Sequence, residues 1–217
     1  MTALAHETLE AVMPKVATSP SELDEVLWQA WKAMELPEGY RAEIVEEFIE
    51  VSPTGRYSHG RIANRLRHAL GLFLDDDSDF TAYQDMNVIH RRKVWIPDVF
   101  ISLKDAEEHV TEDGLGIDAG GVELIAEVVS PGKDSLDRDR DRARKRRAYA
   151  RAGIPVYLII DDYDGQGSVR VLSDPAPDRA RYESEVRMPY GSAVTVPEGP
   201  AKGFVITEAI TGTLRRP

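Results

Sequence analysis

The sequence contains no cysteine and no hydrophobic run long enough to cross a membrane. The lack of cysteine excludes a disulfide framework and thiolate chemistry, and it favours a reducing, cytoplasmic location. The longest apolar run at a strand signal covers residues 156–160, whereas a spanning helix needs roughly 20 apolar residues. Residues 1–20 lack the basic start and apolar stretch of a signal peptide, so none is expected.

Positive charge is also scarce, because 27 Lys and Arg residues against 38 Asp and Glu give a net charge of −11. An acidic surface argues against a protein that coats nucleic acid, since phosphate binding depends on basic surface. The basic residues are unevenly spread, however, and residues 133–151 hold nine Lys or Arg against four Asp. Any phosphate-binding surface is therefore expected in this segment.

The length of 217 residues suits one domain, predicted at 19–217 with a core at about 40–162, after a flexible arm at 1–18. Ser19, Pro20 and Glu22 form the capping-box pattern of a helix start. Two short strands are predicted around a turn in 41–52, further strands at 80–89, 94–103, 122–129 and 154–161, helices at 59–74 and 135–152, and peripheral hairpins near the C-terminus. The order across 122–161 indicates a crossover within one sheet, hence an α/β (α+β) fold.

Two apolar strands each carry one carboxylate, Asp98 in the sequence WIPDVF and Glu127 in IAEVV. A buried carboxylate is costly unless it is paired, hydrogen-bonded or bound to a metal. For either residue alone, a surface-facing position or a salt bridge is the commoner explanation. Two carboxylates on neighbouring strands can instead converge on one hard cation, which can carry a phosphate and an activated water.

The basic segment 135–152 has a distinct face, because Asp141, Lys145 and Tyr149 are spaced four residues apart. Arg138 and Arg142 lie at the edges of this face. One interpretation is a solvated helix stabilised by internal charge pairs such as Asp141 with Lys145. The other is a phosphate-facing ridge that directs one cation towards the metal site.

An ordered set of short motifs runs from about Tyr40 to Asp161. It comprises Pro97-Asp98, Glu127-Val128-Val129-Ser130-Pro131, Lys145 followed by Tyr149, and the segment 152–161. Together these motifs resemble the Uma-type restriction-endonuclease family, which belongs to the PD-(D/E)XK nuclease superfamily. No single motif is specific, but the ordered set is fairly specific.

The resemblance implies a restriction-endonuclease-like central mixed sheet flanked by helices. It also implies phosphodiester hydrolysis that depends on Mg²⁺ or Mn²⁺, with Asp98 and Glu127 as metal ligands and the Val128 carbonyl as a third. Glu43 would be an additional acid near the metal. The chain departs from the superfamily motif at Val129, where a lysine is expected. Lys145 is the replacement that the resemblance suggests, and it would orient or deprotonate the attacking water.

The leading hypothesis is therefore an endonuclease acting on nucleic acid, most simply DNA, with Asp98, Glu127 and Lys145 as catalytic residues. The predicted nucleic-acid contacts are His59, Arg138, Arg142 and Tyr149, and Gln84 and Asp85 are further candidates for the same cleft. Two alternatives stay open: a nuclease-fold binding or assembly module without turnover, and a metal-dependent hydrolase of a small phosphate ester. The departure at Val129 and the net charge of −11 favour the binding module. A homodimer is expected, because nuclease-like domains of this size often pair.

Overall fold

A computed structural model describes residues 19–53, 55–129 and 135–213, and for 135–141 it describes the backbone alone. The helices are α1 (Pro20–Lys32), α2 (Tyr57–Leu74), α3 (Ser135–Ala152) and α4 (Glu208–Thr211). The strands are β1 (Tyr40–Val45), β2 (Phe48–Pro53), β3 (Phe80–Tyr83), β4 (Val88–His90), β5 (Lys93–Trp95), β6 (Val99–Leu103), β7 (Ile117–Asp118), β8 (Val122–Val129), β9 (Val156–Asp161), β10 (Ser168–Ala176), β11 (Arg181–Pro189), β12 (Val194–Thr195) and β13 (Val205–Ile206).

The larger sheet has six strands in the order β11-β10-β9-β8-β6-β3. Its parallel pair, β8 and β9, is joined through α3, and the other pairs in this sheet are antiparallel. Side chains alternate along β8, so that Leu124 and Ala126 pack with α2, while Ile125 and Glu127 face α3. The sheet with helices on both faces confirms the predicted fold class and the predicted crossover across 122–161.

The smaller sheet, in the order β2-β1-β5-β4-β7, is covered by α1. The capping box at the start of α1 is present, because the Glu22 amide donates to the Ser19 hydroxyl and the Ser19 amide to the Glu22 carboxylate. The apolar side of α1 then packs on the sheet through Leu27, Trp28 and Trp31. The predicted first helix and the predicted β1–β2 pair are both confirmed.

Two connections between the sheets lie close to Asp98. The chain leaves the larger sheet after β3 to form β4, and it returns from β5 to β6. The predictions of continuous strands at 80–89 and 94–103 are wrong at these two points. Asp85 has a φ of 54°, which redirects the chain after β3, and Pro97 lacks the amide that a continuing strand ladder needs.

Two sequence-based predictions concern residues outside the described parts of the chain. The predicted arm at 1–18 and the chain break at 130–132 lie outside the described residues. α2 begins at Tyr57, two residues before the predicted start, and ends at Leu74 as predicted. Among the residues that are described, no helix is long and apolar enough to cross a membrane.

Candidate active site at the sheet junction

Asp98 and Glu127 are neighbours at the place where the two sheets meet. Asp98 directly precedes β6, and Glu127 lies within β8. The antiparallel register pairs Val99 with Ala126, so positions 98 and 127 are opposite each other on adjacent strands. Opposite positions share one face of a sheet, and the tertiary structure therefore brings together the two carboxylates that the sequence singled out.

Asp98 is 3% exposed, and its Oδ2 accepts hydrogen bonds from the Val128 amide at 2.7 Å and from His59 Nε2 at 2.9 Å. Its Oδ1 lies 3.6 Å from Nη2 of Arg41, which is an ion pair but too long for a hydrogen bond. Burial raises the pKa of Asp98, but the hydrogen bond and charge of His59, with Arg41 and the Val128 amide, outweigh burial and hold that pKa below its usual value. Asp98 is therefore a carboxylate at neutral pH.

His59 lies in the first turn of α2, which places its ring beside Asp98. Burial alone would lower the pKa of His59, but the hydrogen bond to Asp98 and the charge of that carboxylate raise it above the ordinary value. A carboxylate can only accept hydrogen bonds, so Nε2 of His59 is assigned as the donor. His59 thus supports Asp98 directly, and its predicted contact with nucleic acid stays a prediction.

Glu127 is enclosed by α3. Its Oε1 accepts a hydrogen bond from the Tyr149 hydroxyl at 2.5 Å and another from the Lys145 ammonium at 3.0 Å. Burial raises the pKa of Glu127; Lys145 opposes the rise, and the negative charges of Asp98 and Glu43 add to it, giving a pKa of about 7. The two central acids therefore differ, because Glu127 is close to gaining a proton at neutral pH and Asp98 is not.

Lys145 projects from α3 towards both carboxylates and is 7% exposed. Its Nζ lies 3.0 Å from Glu127 Oε1 and 3.1 Å from each carboxylate oxygen of Glu43. Glu43 also accepts a hydrogen bond from the Ile96 amide at 2.8 Å, so the backbone holds this acid in place. The interpretation of Lys145 as a solvated surface charge is wrong, because its ammonium is buried beside Glu127.

Arginines on the outer side of α3 form ion pairs with acids of the smaller sheet. Arg144 pairs with Glu50 at 2.8 Å, and Arg147 donates two hydrogen bonds of 2.8 Å to Glu46. Both acids lie on the β1–β2 hairpin of the smaller sheet or at its turn. These contacts fix the orientation of α3 over β8. In this orientation the Lys145 side chain reaches Glu43 and Glu127 where the two sheets meet.

Tyr149 was predicted to contact nucleic acid, and this prediction is wrong. The side chain is 0% exposed and packs edge-on against Trp95 and Tyr157. Burial and the negative charge of Glu127 raise the pKa of Tyr149 well above its ordinary value, so the hydroxyl keeps its proton. The hydroxyl donates a hydrogen bond to Glu127. Tyr149 positions the acid and does not touch a substrate.

The other predicted contacts on α3 have different outcomes. Arg142 is partly exposed and pairs with Asp161, a fully buried acid at the end of β9. The side chain of Arg138 lies outside the described residues. Arg142 thus lies beside β9, the strand that adjoins β8, and its predicted contact with nucleic acid stays a prediction.

An open cavity of about 400 Å³ lies beside Asp98. Its lining includes Arg41, His59, Gln84, Asp85 and Asp98. Arg41 was missed in the sequence, although a signal exists: Arg41 and Glu43 are two residues apart on β1 and therefore share one face of that strand. That signal needs Glu43 to be recognised as buried first.

The acids of the site fit a divalent cation by their chemistry. Mg²⁺ prefers oxygen ligands and is commonly held by one or two protein carboxylates, with waters and substrate phosphates completing its shell. In the described part of the chain, no group of three or more His, Cys, Asp or Glu side chains is arranged to hold a metal ion. Asp98 and Glu127 are the two carboxylates of the site that could serve as such ligands.

A mixed sheet flanked by helices, with two acids on adjacent strands and a lysine beside them, is the architecture of a restriction-endonuclease-like protein. The chain belongs to the Uma2 family, described as "Putative restriction endonuclease", which it matches over residues 28–208. It is similar to a solved structure from Anabaena variabilis described as "a putative nuclease belonging to DUF820", with a TM-score of 0.56 and 16% identity, covering 81% of this chain and 88% of that one. At this identity the likeness establishes the fold alone. None of the curated proteins compared with the chain matches it.

Proposed function

We propose that this protein is an endonuclease that hydrolyses phosphodiester bonds in nucleic acid, most simply DNA, with the help of Mg²⁺ or Mn²⁺. One observation carries the proposal: the Lys145 ammonium lies 3.0 Å from Glu127, although the residue two positions after Glu127 is Val129. Lys145, which lies on α3 and 18 residues after Glu127, would thus supply the cation that the superfamily motif places on the strand. A nuclease-fold binding module would have no need of this replacement.

The acids and the lysine divide the chemistry between them. Asp98 and Glu127, with the Val128 carbonyl, would hold the divalent cation, and a bound cation polarises a phosphoryl oxygen and lowers the pKa of a water. Lys145 orients the attacking water and offsets the negative charge that develops on the phosphate. Glu43 keeps Lys145 in place, since both of its oxygens lie 3.1 Å from that ammonium.

The remaining residues act around this centre. His59 and the Val128 amide hold Asp98 through its Oδ2 and leave Oδ1 directed to the cavity side, where Arg41 lies. Arg142, and Arg138 one turn earlier, would contact the phosphate backbone from α3, because the surface is otherwise acidic. Tyr149 holds the Glu127 carboxylate in place through the hydrogen bond from its hydroxyl.

The experiment is a nicking assay on supercoiled plasmid and on single-stranded circular DNA, each with Mg²⁺, with Mn²⁺ and with EDTA. We expect cleavage by the wild type in either metal, and losses of at least about a hundredfold in Asp98→Ala, Glu127→Ala and Lys145→Ala, since each removes a charge at the reacting centre. Arg179→Met is the matched control, because Arg179 is 64% exposed and pairs with Glu183 far along the chain from the site. It should cleave like the wild type.

Three results would contradict the proposal. Cleavage that survives in Asp98→Ala would remove the assigned site. A wild type that binds Mn²⁺ in calorimetry and cleaves no nucleic acid would instead support the binding module, and hydrolysis of a small phosphate ester alone would support the third hypothesis.

A further inference from the structure

Arg41 is a largely buried arginine whose hydrogen-bonding capacity is not used by the described residues around it. Its side chain is 20% exposed, and its ion-pair partner is Asp98 at 3.6 Å. Its Nε is buried and, within the described parts of the chain, has no acceptor. A guanidinium carries five N–H donors, and a buried donor without an acceptor costs free energy.

A structural role would predict a closer contact. Arg147 shows what such a contact looks like in this protein, since its guanidinium donates to both oxygens of Glu46 at 2.8 Å. Charge-assisted contacts of this kind normally close to about 2.7–2.9 Å. Asp98 is already satisfied on its other oxygen by His59 and the Val128 amide. Arg41 is therefore held near the acids without being fully paired with them.

The location of Arg41 suggests what its donors are for. It lines the cavity of about 400 Å³ beside Asp98, together with Gln84 and Asp85. An anionic substrate that enters this cavity approaches the carboxylates of Asp98 and Glu127, which repel it. A guanidinium at the cavity wall offsets this repulsion, and its planar donor array matches the oxygens of a phosphate.

We propose that Arg41 binds a phosphate group of the nucleic-acid strand that enters the cavity beside Asp98, and so positions the substrate for cleavage. The proposal rests on the proposed nuclease function and adds to it the residue that receives the substrate backbone. Gln84 and Asp85, on the same cavity, then border the nucleotide attached to that phosphate. The opposing explanation is that Arg41 only neutralises the neighbouring acids.

The test is the salt dependence of binding, because a phosphate contact contributes to it and a structural charge does not. Every protein carries Glu127→Gln, which preserves the shape of that side chain and blocks cleavage. Binding of fluorescein-labelled short oligonucleotides, single-stranded in one arm and double-stranded in the other, is followed by fluorescence anisotropy in Mg²⁺ across a series of salt concentrations. Arg41→Met, Arg41→Lys and the control Arg179→Met are compared in this background.

We expect Arg41→Met to weaken binding roughly tenfold to a hundredfold, as loss of a hydrogen bond to a charged group does. The slope of log K against log salt should also become shallower, by about 0.7 for the single strand or about 0.9 for the duplex, which corresponds to one phosphate contact. Arg41→Lys should keep the slope and lose affinity, because lysine keeps the charge but not the bidentate geometry. Arg179→Met should change neither quantity.

Specific results would overturn the proposal. If Arg41→Met binds with the affinity and slope of its parent, Arg41 does not contact the substrate, and plasmid cleavage by the wild type would leave the nuclease function intact. A weaker affinity with an unchanged slope would likewise assign Arg41 to the structure alone. If the parent protein binds neither oligonucleotide and the wild type cleaves none, this proposal and the proposed function fail together.

Discussion

Two clusters of ionic side chains in the described part of the chain are arranged in opposite ways. The junction cluster consists of Arg41, Glu43, His59, Asp98, Glu127 and Lys145, and it is largely buried between the two sheets. The turn cluster consists of Asp164, Ser168, Arg170 and Arg187, and it lies at the surface next to the β9–β10 turn. The contacts of the acids in each cluster indicate whether that cluster stabilises the fold.

In the turn cluster one acid is fully satisfied. Asp164 accepts hydrogen bonds from Arg187 at 2.6 and 2.9 Å, from Arg170 at 2.8 Å and from Ser168 at 2.7 Å. Burial raises the pKa of Asp164, but these donors together outweigh burial and hold that pKa well below the usual value. Both arginines of the cluster donate to Asp164, although Nε of Arg170 is buried without an acceptor among the described residues, and the partners lie within 23 residues of Asp164 along the chain.

In the junction cluster three acids share two permanent cations and one histidine. The acids disfavour one another, and the pKa of Glu127 is raised to about 7 as a result of burial and of the charges of Asp98 and Glu43. Burying ionic groups with incomplete compensation costs stability, and perturbed acids of this kind concentrate at functional sites. This imbalance supports the proposed metal and substrate site at the junction, whereas the contacts of the turn cluster hold the β10–β11 hairpin to the β9–β10 turn.

The largest effect should come from removing the central cation of the junction cluster. Lys145→Met leaves Glu43 and Glu127 buried without their shared partner, so the free energy of unfolding should fall by about 3–5 kcal/mol. Urea denaturation in EDTA measures the loss. Arg187→Met removes the exposed cation of the turn cluster and should cost much less, because Arg170 and water still satisfy Asp164. Equal losses in the two variants would contradict the comparison.

A second effect is a pH dependence of opposite sign in the two clusters. The pKa of Glu127 rises from 4.5 to about 7 on folding, so its contribution to stability is complete below pH 4.5 and is lost as the pH rises through 7. The loss amounts to about 3 kcal/mol. Glu127→Gln should lack this decline. The check is the free energy of unfolding of the metal-free protein, measured from about pH 5 to about pH 8.

The turn cluster should show the opposite slope. The pKa of Asp164 is lowered on folding, so its contribution is present above its ordinary value of 3.8 and is lost as the pH falls below it. Asp164→Asn should therefore flatten the acid side of the stability curve and leave the neutral range unchanged. A flattening near neutral pH in Asp164→Asn would show that the assignment of the two slopes is reversed.

The smallest effect should come from the two buried tyrosines. Tyr149→Phe and Tyr182→Phe each remove one hydroxyl, which donates to Glu127 at 2.5 Å and to the Ile154 carbonyl at 3.0 Å, respectively. Each should cost about 1–3 kcal/mol of stability, because each removes a hydrogen bond to a buried acceptor. Tyr149→Phe alone should also move the pH–rate profile of plasmid nicking to higher pH, since Glu127 loses a donor that lowers its pKa. A shift of similar size in Tyr182→Phe would point to a general loss of packing.

Most of the secondary structure and the two central acids could be predicted from local sequence patterns. The helices and most strands follow from local periodicity, and the start of α1 follows from a capping box of four consecutive residues. Asp98 and Glu127 could be found because an acid inside an apolar strand is an anomaly visible within a few residues. Lys145 was suggested by the family resemblance, and its contact with Glu127 is consistent with that suggestion.

The other side chains of the site could be identified only in the tertiary structure. Glu43 and Lys145 are 102 residues apart, and no local pattern encodes their contact. Arg41 gained its significance from its distance to Asp98, and Tyr149 lost its predicted role because the packing of α3 on the sheet buries its ring. Periodicity specifies which face of an element is apolar, but the partner of each polar side chain depends on how sheets and helices are arranged in space. Burial then sets the pKa values on which the chemistry depends.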